Sequence, residues 1–183
     1  MEKNIVSSDN TFIMLTGPRD LPTAFSSTFV ENTLSGLLIG LKSFVPNLVA
    51  LSGGAKGSDT IFARAAYRTD TPFVLELPHP GYAQHYHITT TVNKLSEHAL
   101  ATHYTTTEGD FSFRMNFARN ASMVKQADYY IVIHEKNPND ITGDDKGGTA
   151  ACVRDMQRLL ANGTLIFWIE PHTATIKTVS LNT

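Results

Sequence analysis

Three short glycine-bearing segments hold the residue types best suited to chemistry. They are Thr16-Gly17-Pro18-Arg19-Asp20, Ser52-Gly53-Gly54-Ala55-Lys56-Gly57-Ser58-Asp59 and Lys146-Gly147-Gly148-Thr149. Glycine reaches positive φ and lets a ligand come close to main-chain N–H groups. Where a helix starts directly afterwards, its first N–H groups have no intrahelical acceptor and can hold an anion. Such a helix end contributes roughly 0.3–1 kcal/mol to the contact, and more when partly buried. Ser58 or Asp59 suits the cap of a following helix, and Thr149 can donate its hydroxyl to a phosphate oxygen. Turns and caps explain any one segment; three of them at strand ends favour a phosphate-bearing ligand. G-x-x-x-x-G-K-[ST] is missing, because Lys56 precedes Gly57, and so is G-x-G-x-x-G. Magnesium-dependent triphosphate hydrolysis is therefore not expected.

Short apolar runs precede these segments. Phe12 to Leu15, Leu48 to Leu51, Phe73 to Leu77, Tyr129 to Ile133 and Leu165 to Ile169 read as strands. Several lack period-two alternation, as strands buried on both faces do. Between them lie helical patterns. Over residues 23–44, Phe25, Phe29, Leu34, Leu37, Leu38 and Leu41, with Val45 just beyond, recur at mostly three- and four-residue steps. Further helices are expected over about 58–68, 88–99, 112–126 and 148–161. Residues 170–183 are expected to add an edge strand or to fray. Strand–helix alternation of this kind predicts an α/β fold, doubly wound, with a mainly parallel sheet and helices on both faces. Ligands of such sheets sit at the carboxyl ends of the strands.

Composition sets the outer bounds. The chain has 183 residues, 42% of them hydrophobic and 17% charged, with a net charge of −2. That is the size of one domain, expected over residues 1–183, with enough apolar content to exclude disorder as its main state. The near-neutral balance gives no bulk footprint for a polyanion. No run approaches the roughly 18 apolar residues of a membrane span, and the first ten residues hold no apolar signal core. With Cys152 as its one cysteine, the chain suits a reducing, cytoplasmic setting.

Motif order adds a resemblance. T-G-P-R-D after the first strand, G-G-A-K-G-S-D after the second, R-N-A-S-M-V-K-Q-A-D before a later strand, and K-G-G-T opening a late helix resemble the SLOG superfamily. This group includes LOG-type nucleoside-monophosphate phosphoribohydrolases, the Rossmann-like domain of DprA proteins, and short stand-alone proteins with a T-G-S-R-D start. The chain is most similar to the last group over about residues 12–169, with residues 78–111 as a divergent insert. The resemblance implies a Rossmann-like fold and binding of a nucleotide or nucleotide-derived molecule. Gly53, Gly54, Gly57, Gly147, Gly148 and Thr149 would line a phosphate or ribose site, with Gly17, Pro18, Arg19, Ala55, Lys56, Ser58, Asp59 and Lys146 beside them. Arg119 matches a substrate-binding arginine of the LOG-type enzymes, and Asn120 fits the R-N variant of the shorter proteins. A guanidinium grips phosphate through two donors.

One departure matters. The LOG-type pattern G-G-x-G-T-x-x-E ends in a catalytic glutamate, and Cys152 stands there in this chain. A thiol cannot stabilise positive charge on a ribosyl ring as a carboxylate does. Arg119 and Asp59 are the catalytic candidates that remain, with capping as the alternative role of Asp59. Cys152 is expected to pack inside a helix, Met123, Val124 and Ala127 in the core, and Asp128 to orient the chain entering a strand.

His79, Tyr82, His85, Tyr86 and His87 crowd the start of the insert. No Cys-x-x-Cys or H-E-x-x-H completes a metal set, so no metal and no cofactor are invoked. Tyr82, His85, Tyr86 and His87 are expected at a pocket rim, where they would stack on or hydrogen-bond a base. Three functions follow. The first is a nucleotide-binding sensor or sequestering protein, the second a nucleotide N-glycosidase, and the third single-stranded nucleic-acid binding. The expected partners are a nucleotide-derived small molecule and further copies of the chain, with no membrane, and nucleic acid disfavoured by the charge balance.

Overall fold

The computed structural model describes residues 9–21, 27–172 and 175–182. Seven strands form one sheet: β1 (Thr11–Thr16), β2 (Leu48–Ser52), β3 (Phe73–Leu77), β4 (Ala101–Tyr104), β5 (Tyr129–Ile133), β6 (Leu165–Ile169) and β7 (Ile176–Ser180). Their spatial order is β4-β3-β2-β1-β5-β6-β7. All neighbours are parallel except β6 and β7. The helices are α1 (Ser27–Lys42), α2 (Ser58–Arg68), α3 (Tyr82–His85), α4 (Thr89–Ser96), α5 (Arg114–Gln126) and α6 (Gly148–Leu159). From β1 the chain winds outward through β2, β3 and β4. It then returns to β1's other side with β5, so the winding reverses between β1 and β5.

Each central strand feeds two cores, because successive side chains point to opposite faces. Ile13, Leu15, Ala50, Leu75, Ile131 and Ile133 pack with Val30, Leu34 and Leu38 of α1 and with the alanine-rich face of α2. Met14, Leu51, Val74 and Val132 pack on the other face with Met123 and Val124 of α5 and with Val153 and Met156 of α6. The apolar runs lacked alternation because both sets are buried. Ala127 joins the second core. Asp128 fixes the entry to β5: its Oδ2 accepts from Phe12 N at 2.8 Å, and its own N–H donates to Phe12 O at 2.8 Å.

One detail differs from the sequence expectation: Phe29, assigned by spacing to the apolar face, is 47% exposed, because Val30 and Leu34 occupy the sheet-facing stripe. The first helix is described from Ser27, and Phe25 lies outside the described residues. The insert adds an edge strand, β4, on β3. At the opposite edge β7 pairs antiparallel with β6, and Leu181 just after it is fully buried.

Candidate functional site

A cavity of about 460 Å³ opens where the winding reverses. Thr16, Gly17, Pro18 and Arg19 enter from the end of β1, and His134 follows β5. Lys146, Gly147, Gly148 and Thr149 come from the start of α6. Phe113, Asn116, Phe117, Arg119, Asn120 and Met123 form the α5 wall, with Ala55 and Asp59 at the back. A switch point between parallel strands is where open α/β sheets hold ligands.

Arg119 is the best-fixed cation of the site and is only 6% exposed. Its Nη1 lies 3.5 Å from Asp59 Oδ2 and donates to Glu76 O at 3.4 Å. Its Nε is buried with no hydrogen-bond partner among the described residues. Gly53 makes this seat: a Cβ there would lie 1.5 Å from Arg119 Nη1 and 2.5 Å from Asp59 Oδ2. The glycine is required by the guanidinium, not by a ligand. Burial pushes the Asp59 carboxyl above its ordinary range, while Arg119 and the Ala55 N–H oppose that shift. Arg119 Nη1 and the Ala55 N–H nevertheless hold the Asp59 carboxyl in place beside the guanidinium.

The second and third segments behave differently. At α2 the N-terminus is already filled, since Ser58 N and Oγ both donate to Pro18 O, at 3.2 and 2.9 Å. Gly57, at φ 83°, lies so close to Arg19 O that a Cβ would sit 2.1 Å from it. The expectation that all three segments line one site is corrected here. Gly53, Gly54, Lys56, Gly57 and Ser58 stand outside the cavity wall, because the second segment is spent on bracing the first and seating Arg119. Lys56 instead pairs with Asp20 at 2.8 Å on the surface. At α6 the cap residue is Gly147, at φ 100°, and no side chain caps the helix. Gly148 and Thr149, at the start of α6, line the cavity, and the first N–H groups of a helix have no intrahelical acceptor.

The aromatic insert is also placed differently. Tyr82, His85 and His87 do not line the cavity. Tyr82 is 1% exposed and packs against Tyr86 and Phe111, because its ring completes the first core. His85 leans on Tyr86 and Phe111, and exposed His87 takes φ 55° at the end of α3. Tyr86 reaches the site through its neighbours. Arg19 lies over its ring at 4.3 Å, and Asn116 Nδ2 donates to its hydroxyl at 3.3 Å. Among the described residues, no group of three or more His, Cys, Asp or Glu could hold a metal ion.

Cys152 lines the cavity from α6 but is 1% exposed, and burial pushes its thiol up to about 12. The thiol therefore stays protonated throughout the physiological range and is a poor nucleophile. In the native protein at pH 8, alkylation by iodoacetamide is expected to run at least about 100-fold slower than in the unfolded chain. Equal rates, read by mass spectrometry, would refute the protonated, shielded thiol.

Sequence reasoning missed Phe113, Asn116, Phe117 and His134. The first three recur with Asn120 at three- and four-residue steps, the same stripe of α5 that flanks Arg119, so helical spacing from the R-N pair would have found them. His134 follows directly on β5, at a carboxyl end. Its Nδ1 accepts from Lys136 N at 3.0 Å, which leaves Nε2 as the N–H of the neutral ring.

Fold and cavity together define a Rossmann-like α/β protein with its pocket at the switch point of a mainly parallel sheet. Among solved structures the chain is similar to DNA processing protein A from Helicobacter pylori, described for its single-stranded DNA binding mode. The TM-score is 0.60 and the identity 21%, over 86% of this chain and 64% of that one. It is also similar to DNA processing protein A from Streptococcus pneumoniae, with a TM-score of 0.57 and 19% identity, over 87% of this chain and 50% of that one. A third likeness is to the structural-genomics target TM1055, with a TM-score of 0.50, 14% identity, and coverage of 81% and 69%. The chain thus spans about half to two thirds of the length of the two DNA processing proteins. At these identities the fold is what is shared. No protein-family model and no curated protein matches the sequence.

Proposed function

We propose that this chain is a SLOG-type protein, one nucleotide-binding domain over residues 1–183. Its switch-point cavity holds a nucleotide or nucleotide-derived small molecule, as a sensor or sequestering protein. One observation carries this reading. The uncapped start of α6 and the buried Arg119, whose Nε has no partner among the described residues, line the same cavity. A phosphate accepts from the α6 N–H groups, with Lys146 and Thr149 beside it, and Arg119 supplies a fixed charge deeper in. Arg19, held on Tyr86, closes the side formed by the first segment.

The N-glycosidase alternative is weaker on two counts. The thiol of Cys152 stands at the glutamate position, and the one carboxylate on the cavity wall among the described residues, Asp59, is tied to Arg119 and Ala55 N. Single-stranded nucleic-acid binding is suggested by the likeness to DNA processing protein A, and the same experiment separates it.

Native mass spectrometry of the purified protein is expected to show a co-purified nucleotide-class ligand. Calorimetry with added nucleoside monophosphates is expected to show one site per chain, with no base released on prolonged incubation. Base release would move the assignment to the hydrolase. Tight oligonucleotide binding that falls steeply with salt, without mononucleotide binding, would move it to nucleic acid. The same proposal includes self-association, which light scattering checks.

A further inference from the structure

The anion chemistry leaves one wall of the cavity unused. Phe113 and Phe117 line it at the start of α5, their rings edge to face with centroids 5.5 Å apart. They remain 59% and 38% exposed, although both are large apolar side chains. Their position is continuous with the polar half of the cavity. Asn120, one helical turn beyond Phe117 and half-buried, stands next along the same wall, followed by Met123, while Arg119 and the α6 start complete the enclosure.

We propose that the Phe113–Phe117 pair is the platform on which the base of the bound nucleotide stacks. The site then selects a nucleobase-bearing ligand over a bare sugar phosphate. This inference rests on the nucleotide reading of the cavity and adds where the base lies. Three chemistries follow one another around the pocket: N–H groups, Lys146 and the Arg119 charge for phosphate, Asn120 for the sugar, and aromatic rings for the base. A cavity of about 460 Å³ falls in the size range of small-molecule sites. Stacking needs a π face rather than a hydrogen-bonding edge, so it accepts any base and favours the larger purines. A polar rim from the insert would instead read base edges, but Tyr82 is committed to the core and His87 stands off the cavity wall.

Calorimetric titration of the full chain with AMP and, separately, with ribose 5-phosphate tests this. Wild type is expected to bind AMP at least about fivefold more tightly than ribose 5-phosphate. Phe113→Ala and Phe117→Ala are expected to weaken AMP by roughly 5- to 150-fold, the range for loss of one stacked base, with ribose 5-phosphate unchanged. Phe117→Leu keeps apolar bulk without the ring and is expected to follow Phe117→Ala. Both positions are exposed, and an unchanged melting temperature verifies that the variants fold. Equal wild-type affinity for the two ligands, or equal loss of both in the variants, overturns the stacking platform and leaves the anion site standing. Binding of neither ligand overturns both.

Discussion

Gly53→Ala is expected to cost this protein about 3–5 kcal/mol of stability and its ligand affinity together. Gly53 is not among the positive-φ residues, so alanine meets no backbone strain there. The damage comes from the added methyl, which would stand 1.5 Å from Arg119 Nη1 and 2.4 Å from its Cζ. Arg119 has to leave. Its departure strands Asp59, whose side chain is 12% exposed, without its counter-ion. Breaking a buried pair from one side is costly because the remaining charge is neither solvated nor paired. Denaturant unfolding measures the loss, and AMP titration the binding. In an Arg119→Ala background the same glycine substitution is expected to cost much less, since the methyl then meets only the Asp59 carboxyl, whose Oδ2 at 2.5 Å is released from the ion pair and has to shift. A coupling of more than about 2 kcal/mol in this cycle identifies the arginine as the cause. Additive effects would show that Gly53 matters for another reason.

Thr149→Asp is expected to separate binding from stability. Thr149 is the second residue of α6, whose first turn holds no acidic side chain. A carboxylate at a helix start complements the macrodipole by roughly 0.3–1 kcal/mol, so the melting temperature is expected to hold or rise. The same carboxylate faces the cavity, where a phosphate is expected. Two like charges about 4 Å apart repel by about 1–4 kcal/mol between bulk water and a protein surface, or roughly a 5- to 1000-fold loss of AMP affinity. A destabilised variant would argue against an open helix start at Gly148 and Thr149. A stable variant with undiminished affinity would remove the phosphate from α6.

These two positions mark how much was legible beforehand. Lys146-Gly147-Gly148-Thr149 could be read as a helix start at a strand end, and α6 begins at Gly148 beside the cavity. Arg119 could be singled out from its motif, but its seat could not. The contact with Gly53 spans 66 residues of sequence, and no local pattern encodes it. The aromatic insert misled because Tyr82, His85 and His87 look alike as a string. Burial separates them: Tyr82 lies in the core, while His85 and His87 are exposed. The aromatic rings that do line the cavity, Phe113 and Phe117, begin α5, where apolar residues read as ordinary helix packing.

The order of elements, the two buried faces of the sheet and the ends where glycines collect were determined by the sequence alone. Periodicity and turn chemistry are local properties, and each residue carries them wherever the chain goes. Which helix start stays open was decided only by the tertiary structure. Both α2 and α6 begin after a glycine at positive φ, without a side-chain cap. Folding brings the Pro18 carbonyl against the N–H of Ser58 and no side-chain cap to α6. A backbone donor is free or spent according to what the rest of the chain lays beside it.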